Sequence, residues 1–355
     1  MIALLPVDIR VIISIFLNFI LYFHLMKKIL FFLLLPLLVV PQNNQENVSN
    51  QNIFTIFYNV ENLFDTINNP NTSDDEFLPL SEKKWNSSKY FHKINQLARV
   101  FSSLIKDENS NNLPDIIGLC EVENKQVIND LLKTPTFNNH NYKIIHQDSP
   151  DSRGIDCALL YNEKIQLLDH DFIFIDNPNV KRATRDILYA KLKIRDNIVN
   201  VFVNHWPSRW GGQEESNYKR VFAAKILRNY ININVSKDEY ILIMGDFNDY
   251  PNNESLSDVL IEDDLVNLMR TDFVLGNGSY NYKSLWNWLD QIIISKNFLK
   301  PNVKLKSVGS FQKEYMLYTN KTGEKRPSRT YSGNNWYGGF SDHLPVYFHF
   351  HFISN

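Results

Sequence analysis

Apolar, β-forming runs in this chain stop abruptly at short polar side chains, and that recurrent punctuation limits what the chain can become. Ile198–Val203 ends at Asn204-His205, and Tyr240–Met244 ends at Gly245-Asp246-Phe247-Asn248-Asp249. Ser341-Asp342-His343 stands just before a last apolar run, Val346–Phe352. Side chains able to bind metal, hold water or move protons at strand ends are how an α/β enzyme presents chemistry at a sheet rim. The clusters are spread from residue 59 to residue 343. A site that needs all of them must be assembled by one fold, although 355 residues would allow two domains.

The rest of the chain alternates in the same manner. Ile53–Tyr58, Asp115–Cys120, Ile155–Tyr161, Ile187–Ile194 and Leu289–Ile294 read as further strands. Between 89 and 106, Ile94, Leu97, Ala98, Phe101, Leu104 and Ile105 recur at helical spacing, which predicts a helix with one buried face. Shorter helices are expected at 125–132 and 217–230. Residues 63–88 and 319–340 are rich in Asn, Ser, Gly, Pro and charge, as surface loops are. The second of these mixes Lys321, Lys325, Arg326 and Arg329 with Tyr331, Trp336 and Tyr337, a mixture that suits a phosphate-bearing substrate as well as a solvated loop. So many strands predict a mixed sheet or a pair of sheets covered by helices.

Charge is nearly balanced, 37 Lys plus Arg against 39 Asp plus Glu, so no bulk basicity advertises nucleic acid. Cys120 and Cys157 each sit inside an apolar run and read as buried free thiols, without zinc-site spacing. Residues 1–41 differ from the rest: Val11–Met26 is apolar, Lys27-Lys28 interrupts, and Ile29–Val40 is apolar again. From Met26 the pattern is that of a secretory signal. Either Met26 is the true start or the whole segment is an uncleaved membrane anchor, and both readings place the body (53–355) outside the cytosol, after a polar Asn/Gln linker at 42–52. Without the leader the body is mildly acidic.

Glu121, Asp246 and Asp290 each end or follow an apolar run, and Asp342 precedes one. Oxygen-rich sites of this kind select hard cations, so magnesium or manganese is expected, with calcium also compatible. His205 and His343 each follow an Asn or Asp at a strand boundary, where a carboxylate can poise an imidazole near neutrality. His349 and His351 alternate with phenylalanines in the last strand and read as structural, while His92, His140, His146 and His170 fall outside any cluster.

Seven ordered motifs, YNVENLFD (58–65), IIGLCEVEN (116–124), RGIDCALLY (153–161), VNHWPSR (203–209), GDFND (245–249), WLDQIIIS (288–295) and SDHLPVY (341–347), resemble the endonuclease/exonuclease/phosphatase superfamily, of the deoxyribonuclease I type and nearest its exported bacterial nucleases. The resemblance implies a four-layer α/β sandwich, two mixed sheets face to face with helices outside, and a metal-dependent phosphoesterase. It implies Glu121 as the main metal ligand, with Asp342 and Glu61 as further metal carboxylates, the last where some members carry aspartate. Asn59 would stand beside Glu121 and contact substrate, and Asp246 and Asn248 would position water and phosphate. His343, oriented by Asp290, matches the general base, and His205 the second histidine, a general acid; from its place near the start of a strand, Asp156 is expected to orient His205. Arg185 would contact phosphate, with Arg182 as the competing choice.

The expected activity is therefore endonucleolytic hydrolysis of DNA, with RNA as a related substrate, by a monomer. Phospholipid headgroups or inositol phosphates are the alternative, which an N-terminal membrane anchor would suit. Trp210, Gly211 and Gly212, just past His205, could shape access to the site.

Overall fold

The structure is a computed structural model that describes residues 52–107, 113–180, 182–270 and 277–353. The leader and all but the last residue of the linker lie outside the described residues. In chain order the elements are β1 (Asn52–Leu63), α1 (Ser87–Asp107), β2 (Ile116–Val122), α2 (Lys125–Leu132), β3 (Tyr142–His146), β4 (Asp156–Asn162), β5 (Gln166–Ile173), β6 (Ile187–Ile194) and β7 (Asn197–His205). Then follow α3 (Gln213–Asn234), β8 (Tyr240–Asp246), β9 (Leu265–Asn267), the hairpin β10 (Tyr280–Tyr282) and β11 (Leu285–Asn287), β12 (Asp290–Ser295) and β13 (Val303–Ser310). Two small hairpins, β14 (Leu317–Thr319) with β15 (Lys325–Pro327) and β16 (Tyr331–Ser332) with β17 (Asn335–Trp336), precede β18 (Val346–Phe352).

Two six-stranded sheets result, ordered β13-β18-β1-β2-β4-β3 and β5-β6-β7-β8-β12-β9. Each is mixed: β1 runs parallel to β2 but antiparallel to β18, and β7 runs parallel to β8 but antiparallel to β6. The apolar side chains separate into three buried clusters, and these define the layers. One takes Phe57, Cys120 and Leu159 from the first sheet with Val201, Leu242 and Ile292 from the second, so it lies between the sheets. Another joins Ile56, Tyr58 and Leu119 to Leu97, Phe101 and Ile128 of α1 and α2. The third joins Phe202, Ile243 and Ile293 to Ala223, Leu227 and Ile231 of α3. Three cores make four layers, the sandwich expected from the motifs.

Cys120 and Cys157 face each other across β2 and β4 as free, buried thiols. Tight strand approach demands glycine at Gly245, where a Cβ would meet the backbone oxygen of Asn204 at 2.4 Å. Within the two large sheets, the strands that periodicity missed, β3, β5, β9 and β13, are the four edges. Edges carry polar side chains on their open flank, as Asp169 and Asp171 do in β5 and Lys304 and Lys306 in β13, so their apolar signal is thin. No helix of the described residues is long and apolar enough to cross a membrane.

Candidate active site

Strand alternation carries most of the predicted residues to one rim. In β8, Leu242 and Met244 face the inter-sheet core, so Asp246, two residues on, points the same way just past the apolar filling. The same parity places His205 after Val201 and Val203, Asp290 before Ile292 and Ile294, and Asn59 after Phe57. Asn59 Nδ2 donates to Asp246 Oδ2 at 3.1 Å, tying the two sheets together at the rim.

Glu121 breaks that parity. Leu119 packs outward, so regular alternation would aim Glu121 outward as well. Instead the β2 register shifts between Cys120 and Val122, and Glu121 adopts φ +63°, a left-handed conformation costly for a residue with a side chain. Neighbouring β1 shifts between Asn59 and Leu63, with Glu61 and Asn62 both at φ +51°. Two adjacent bulges thus turn Glu121 into the site, where its Oε2 accepts from the Asn62 amide at 2.9 Å.

His343 Nδ1 lies 2.6 Å from Asp290 Oδ2, which also accepts from the Ser279 hydroxyl at 2.5 Å. Ser341 Oγ accepts from the His343 amide at 3.1 Å, and Tyr280 packs on the ring at 4.8 Å. Burial opposes charge on this imidazole, but the carboxylates of Asp290 and Asp246 and the hydrogen bond to Asp290 outweigh it, so His343 is held protonated well above the usual histidine range. Asp246 lies 3.8 Å from its Nε2. Burial first, then the neighbouring Asp290, push the Asp246 carboxyl upward.

His205 behaves oppositely. Its Nε2 sits 3.7 Å from Asp246 and 3.8 Å from Glu121, while its Nδ1 is buried without a hydrogen-bond partner. Burial, followed by Arg185, Arg153 and His343, drives it well below the usual range. Asp156, expected behind it, is elsewhere: it accepts from the Ser149 amide at 2.8 Å and lies 3.3 Å from His146 Nε2. Asp156 starts β4 with its side chain on the opposite parity to core-facing Cys157, which takes it away from the inter-sheet rim. Without a carboxylate behind it, nothing in the ring's surroundings offsets the burial and the two guanidinium groups that disfavour a charged imidazole.

Asn248 supports Asp246 through its amide, 2.9 Å to Oδ1, and its side chain donates to the Trp206 carbonyl at 3.0 Å. Arg185 is not offered to a ligand. Only 4% exposed, it donates to Asp151 at 3.0 Å and to the Trp206 carbonyl at 2.7 Å. It forms part of the wall of an adjoining hollow of about 440 Å³, where its competitor Arg182 and Arg153 are the arginines not tied to a backbone carbonyl of the site.

Glu61 and Asp342 are joined by a residue that sequence reasoning left in a loop. Arg329 donates to Glu61 at 3.2 Å and to Asp342 at 2.8 Å, and Glu61 also accepts from the Thr330 amide at 2.6 Å. Fully buried Lys93, 3.9 Å from Glu61, is lowered to about 8 by burial against the opposing pull of Glu61, Asp342 and Glu121. The signal that could have found Arg329 is its place twelve residues before Ser341 in a loop already rich in cations and aromatics.

The donor set suits a divalent cation. Glu121 and Asp246, from opposite sheets, converge on Asn59 Nδ2 at 3.4 and 3.1 Å, and the hydrogen bonds they accept come from neutral amides. Asp246, Asp290 and His343 also cluster at ligand-like distances. The 2.6 Å bond between His343 and Asp290 occupies those donors, making them a proton-holding dyad beside a carboxylate rather than a cation's cage.

Comparison with known proteins agrees with this geometry. Residues 54–351 match the model of a family described as the Endonuclease/Exonuclease/phosphatase family. No curated protein matches the chain. Among solved structures, TDP2 of D. rerio complexed with a single-strand DNA product is similar at 14% identity, over 84% of this chain and 99% of that one, with TM-score 0.52. A mannosyl-6-phosphatase of Bacteroides thetaiotaomicron is similar at 17% identity, over 84% and 100%, with TM-score 0.54. An endonuclease/exonuclease/phosphatase family protein from the same bacterium is similar at 16% identity, over 86% and 99%, with TM-score 0.54. At these identities the likeness is one of fold.

Proposed function

The chain belongs to the endonuclease/exonuclease/phosphatase family and is a hydrolase of phosphoric esters, and on that premise we propose that it is a magnesium-dependent endonuclease that cleaves DNA by in-line attack of water. One observation carries this reading: two basic-lined hollows border the cluster and share Arg153. The first, about 440 Å³, offers Arg153, Arg182 and Lys219 against Asp176, the Arg185–Asp151 pair in its wall being already joined, with Pro207 and Ser208 from just beyond His205. The second, about 370 Å³, carries Lys83, Arg153 and Arg329 against Glu61 and Glu76. A polymer with phosphates on both sides of the cut would use both hollows, whereas a compact monoester needs only one. The likeness to a TDP2 that binds single-strand DNA product supports the same choice.

Glu121, with Asp246 and Asp342 close by, would hold the cation, which supplies neutralisation of charge on the phosphate and leaving oxygens. His343, charged and braced by Asp290, attracts and orients the phosphate. Asp246, raised toward neutrality and fixed by the Asn248 amide, accepts the proton of the attacking water. His205, being neutral, donates its single ring N–H to a phosphate oxygen. The apolar leader supports export as the setting in which this activity operates.

A second reading, hydrolysis of a small phosphomonoester, draws support from the likeness to a mannosyl-6-phosphatase and from the mildly acidic body. Supercoiled plasmid incubated with protein and magnesium, with and without chelator, tests the choice. Nicking that chelator abolishes is the expected result. Intact plasmid alongside inorganic phosphate released from mannose 6-phosphate would overturn the nuclease reading in favour of the second.

A further inference from the structure

The acceptor that was expected to serve His205, Asp156, belongs to a different cluster. His146 ends β3, Asp156 begins β4, and Asp148 lies in the loop between them. One donor atom from each of the three lies within 4.8 Å of the others. The His146 side chain is 3% exposed and that of Asp156 2%. Buried Nε2 of His146 lies 3.3 Å from Asp156 Oδ2 yet makes no hydrogen bond to it or to any other described group, and Nδ1 of the same ring lies 4.0 Å from Asp148 Oδ1. That separation is the one two ligands adopt across a shared tetrahedral ion: with metal–nitrogen and metal–oxygen bonds of about 2.1 Å, the edge is about 3.4 Å. The other Asp156 oxygen accepts the Ser149 amide at 2.8 Å, which fixes the carboxylate as outer partners fix metal ligands.

Two carboxylates and an unsatisfied imidazole in one place leave negative charge and a nitrogen lone pair unanswered.

We propose that His146, Asp148 and Asp156 form a second divalent-cation site, separate from the catalytic centre, that takes zinc or a similar transition ion and pins the 147–155 loop. One imidazole among carboxylates suits zinc or manganese better than magnesium, which prefers oxygen alone. The ion clamps the two ends of a loop that works for the active site. Asp151 of that loop holds Arg185, and Arg153 lines both hollows.

The test uses the full chain, stripped of metal by chelator and then titrated calorimetrically with zinc chloride under saturating magnesium. One zinc that magnesium does not displace is expected, and X-ray absorption at the zinc edge should report one imidazole nitrogen among oxygens. His146→Gln and Asp148→Asn should each weaken this zinc by about tenfold or more, while Glu121→Gln leaves it unchanged. Asp148 is 79% exposed, so its variant carries the test should His146→Gln fail to fold. Absence of magnesium-resistant zinc, its retention by Asp148→Asn, or its loss in Glu121→Gln would each overturn the proposal, the last by assigning the ion to the catalytic centre.

Discussion

His205 at the end of β7 and His343 ahead of β18 face the same carboxylate, Asp246, from nearly equal distances of 3.7 and 3.8 Å, and both are buried. Their proton affinities nonetheless move in opposite directions. The difference lies behind each ring. His343 Nδ1 rests on Asp290, whereas His205 Nδ1 has no hydrogen-bond partner, so burial first, then Arg185 and Arg153, act on its ring unopposed. A histidine's role in this site is therefore set by the far side of the imidazole rather than by the strand-end motif that presents it.

The strongest way to break this comparison is to remove the carboxylate both rings share. Asp246→Asn should lower kcat by about 10³-fold or more with circular dichroism unchanged, and a variant retaining a tenth of wild-type turnover would remove Asp246 as the proton acceptor. Next come the rings and the cation's main ligand. His343→Ala and Glu121→Ala should each cost about 10³-fold in kcat, and His205→Ala about 10²-fold, because a neutral donor contributes less than a charged one. Equal losses for the two histidines, measured in single-turnover assays, would remove the asymmetry.

The pH profile sharpens the same contrast. Activity needs Asp246 ionised and His343 protonated, so it should fall as pH drops through the raised Asp246 pKa and fall again as pH rises through the raised His343 pKa. Asp290→Asn removes the group that holds His343 protonated and should shift the alkaline limb to lower pH. His205→Asn should leave that limb in place. An unmoved alkaline limb in Asp290→Asn would show that it belongs to another group.

The smallest effect is expected at the shared wall of the two hollows. Arg153→Ala should raise KM for DNA several-fold with kcat little changed, and should reduce the salt dependence of binding by about one phosphate contact. An unaltered KM and salt slope would take Arg153 out of the binding surface.

Much of this architecture was legible in the sequence because central strands are apolar on both faces and stop where chemistry begins. Asp246, His205 and Asp290 follow from parity alone, counted from Met244, Val203 and Ile292. Glu121 lay on the right strand, but its direction depends on a bulge with positive φ, which no apolar pattern encodes. Asp156 misled for a related reason: it sits one residue from core-facing Cys157, and one step along a strand exchanges faces. Arg185 and Arg153 could not be sorted by type, since a buried arginine and a groove arginine look alike until Asp151 is seen to hold the first. Arg329 was legible only as one cation of a basic loop, because its pairing with Glu61 spans 268 residues, and Lys93 was invisible because its partner, the Phe340 carbonyl, lies 247 residues away.

Nitrogen-15 NMR of the histidine rings in metal-free protein tests the account most directly. Between about pH 6 and 8, the unperturbed histidine range, His343 should carry protons on both nitrogens while His205 remains a single neutral tautomer. Coincident titration of the two rings near pH 6.5, or the reverse order, would contradict it.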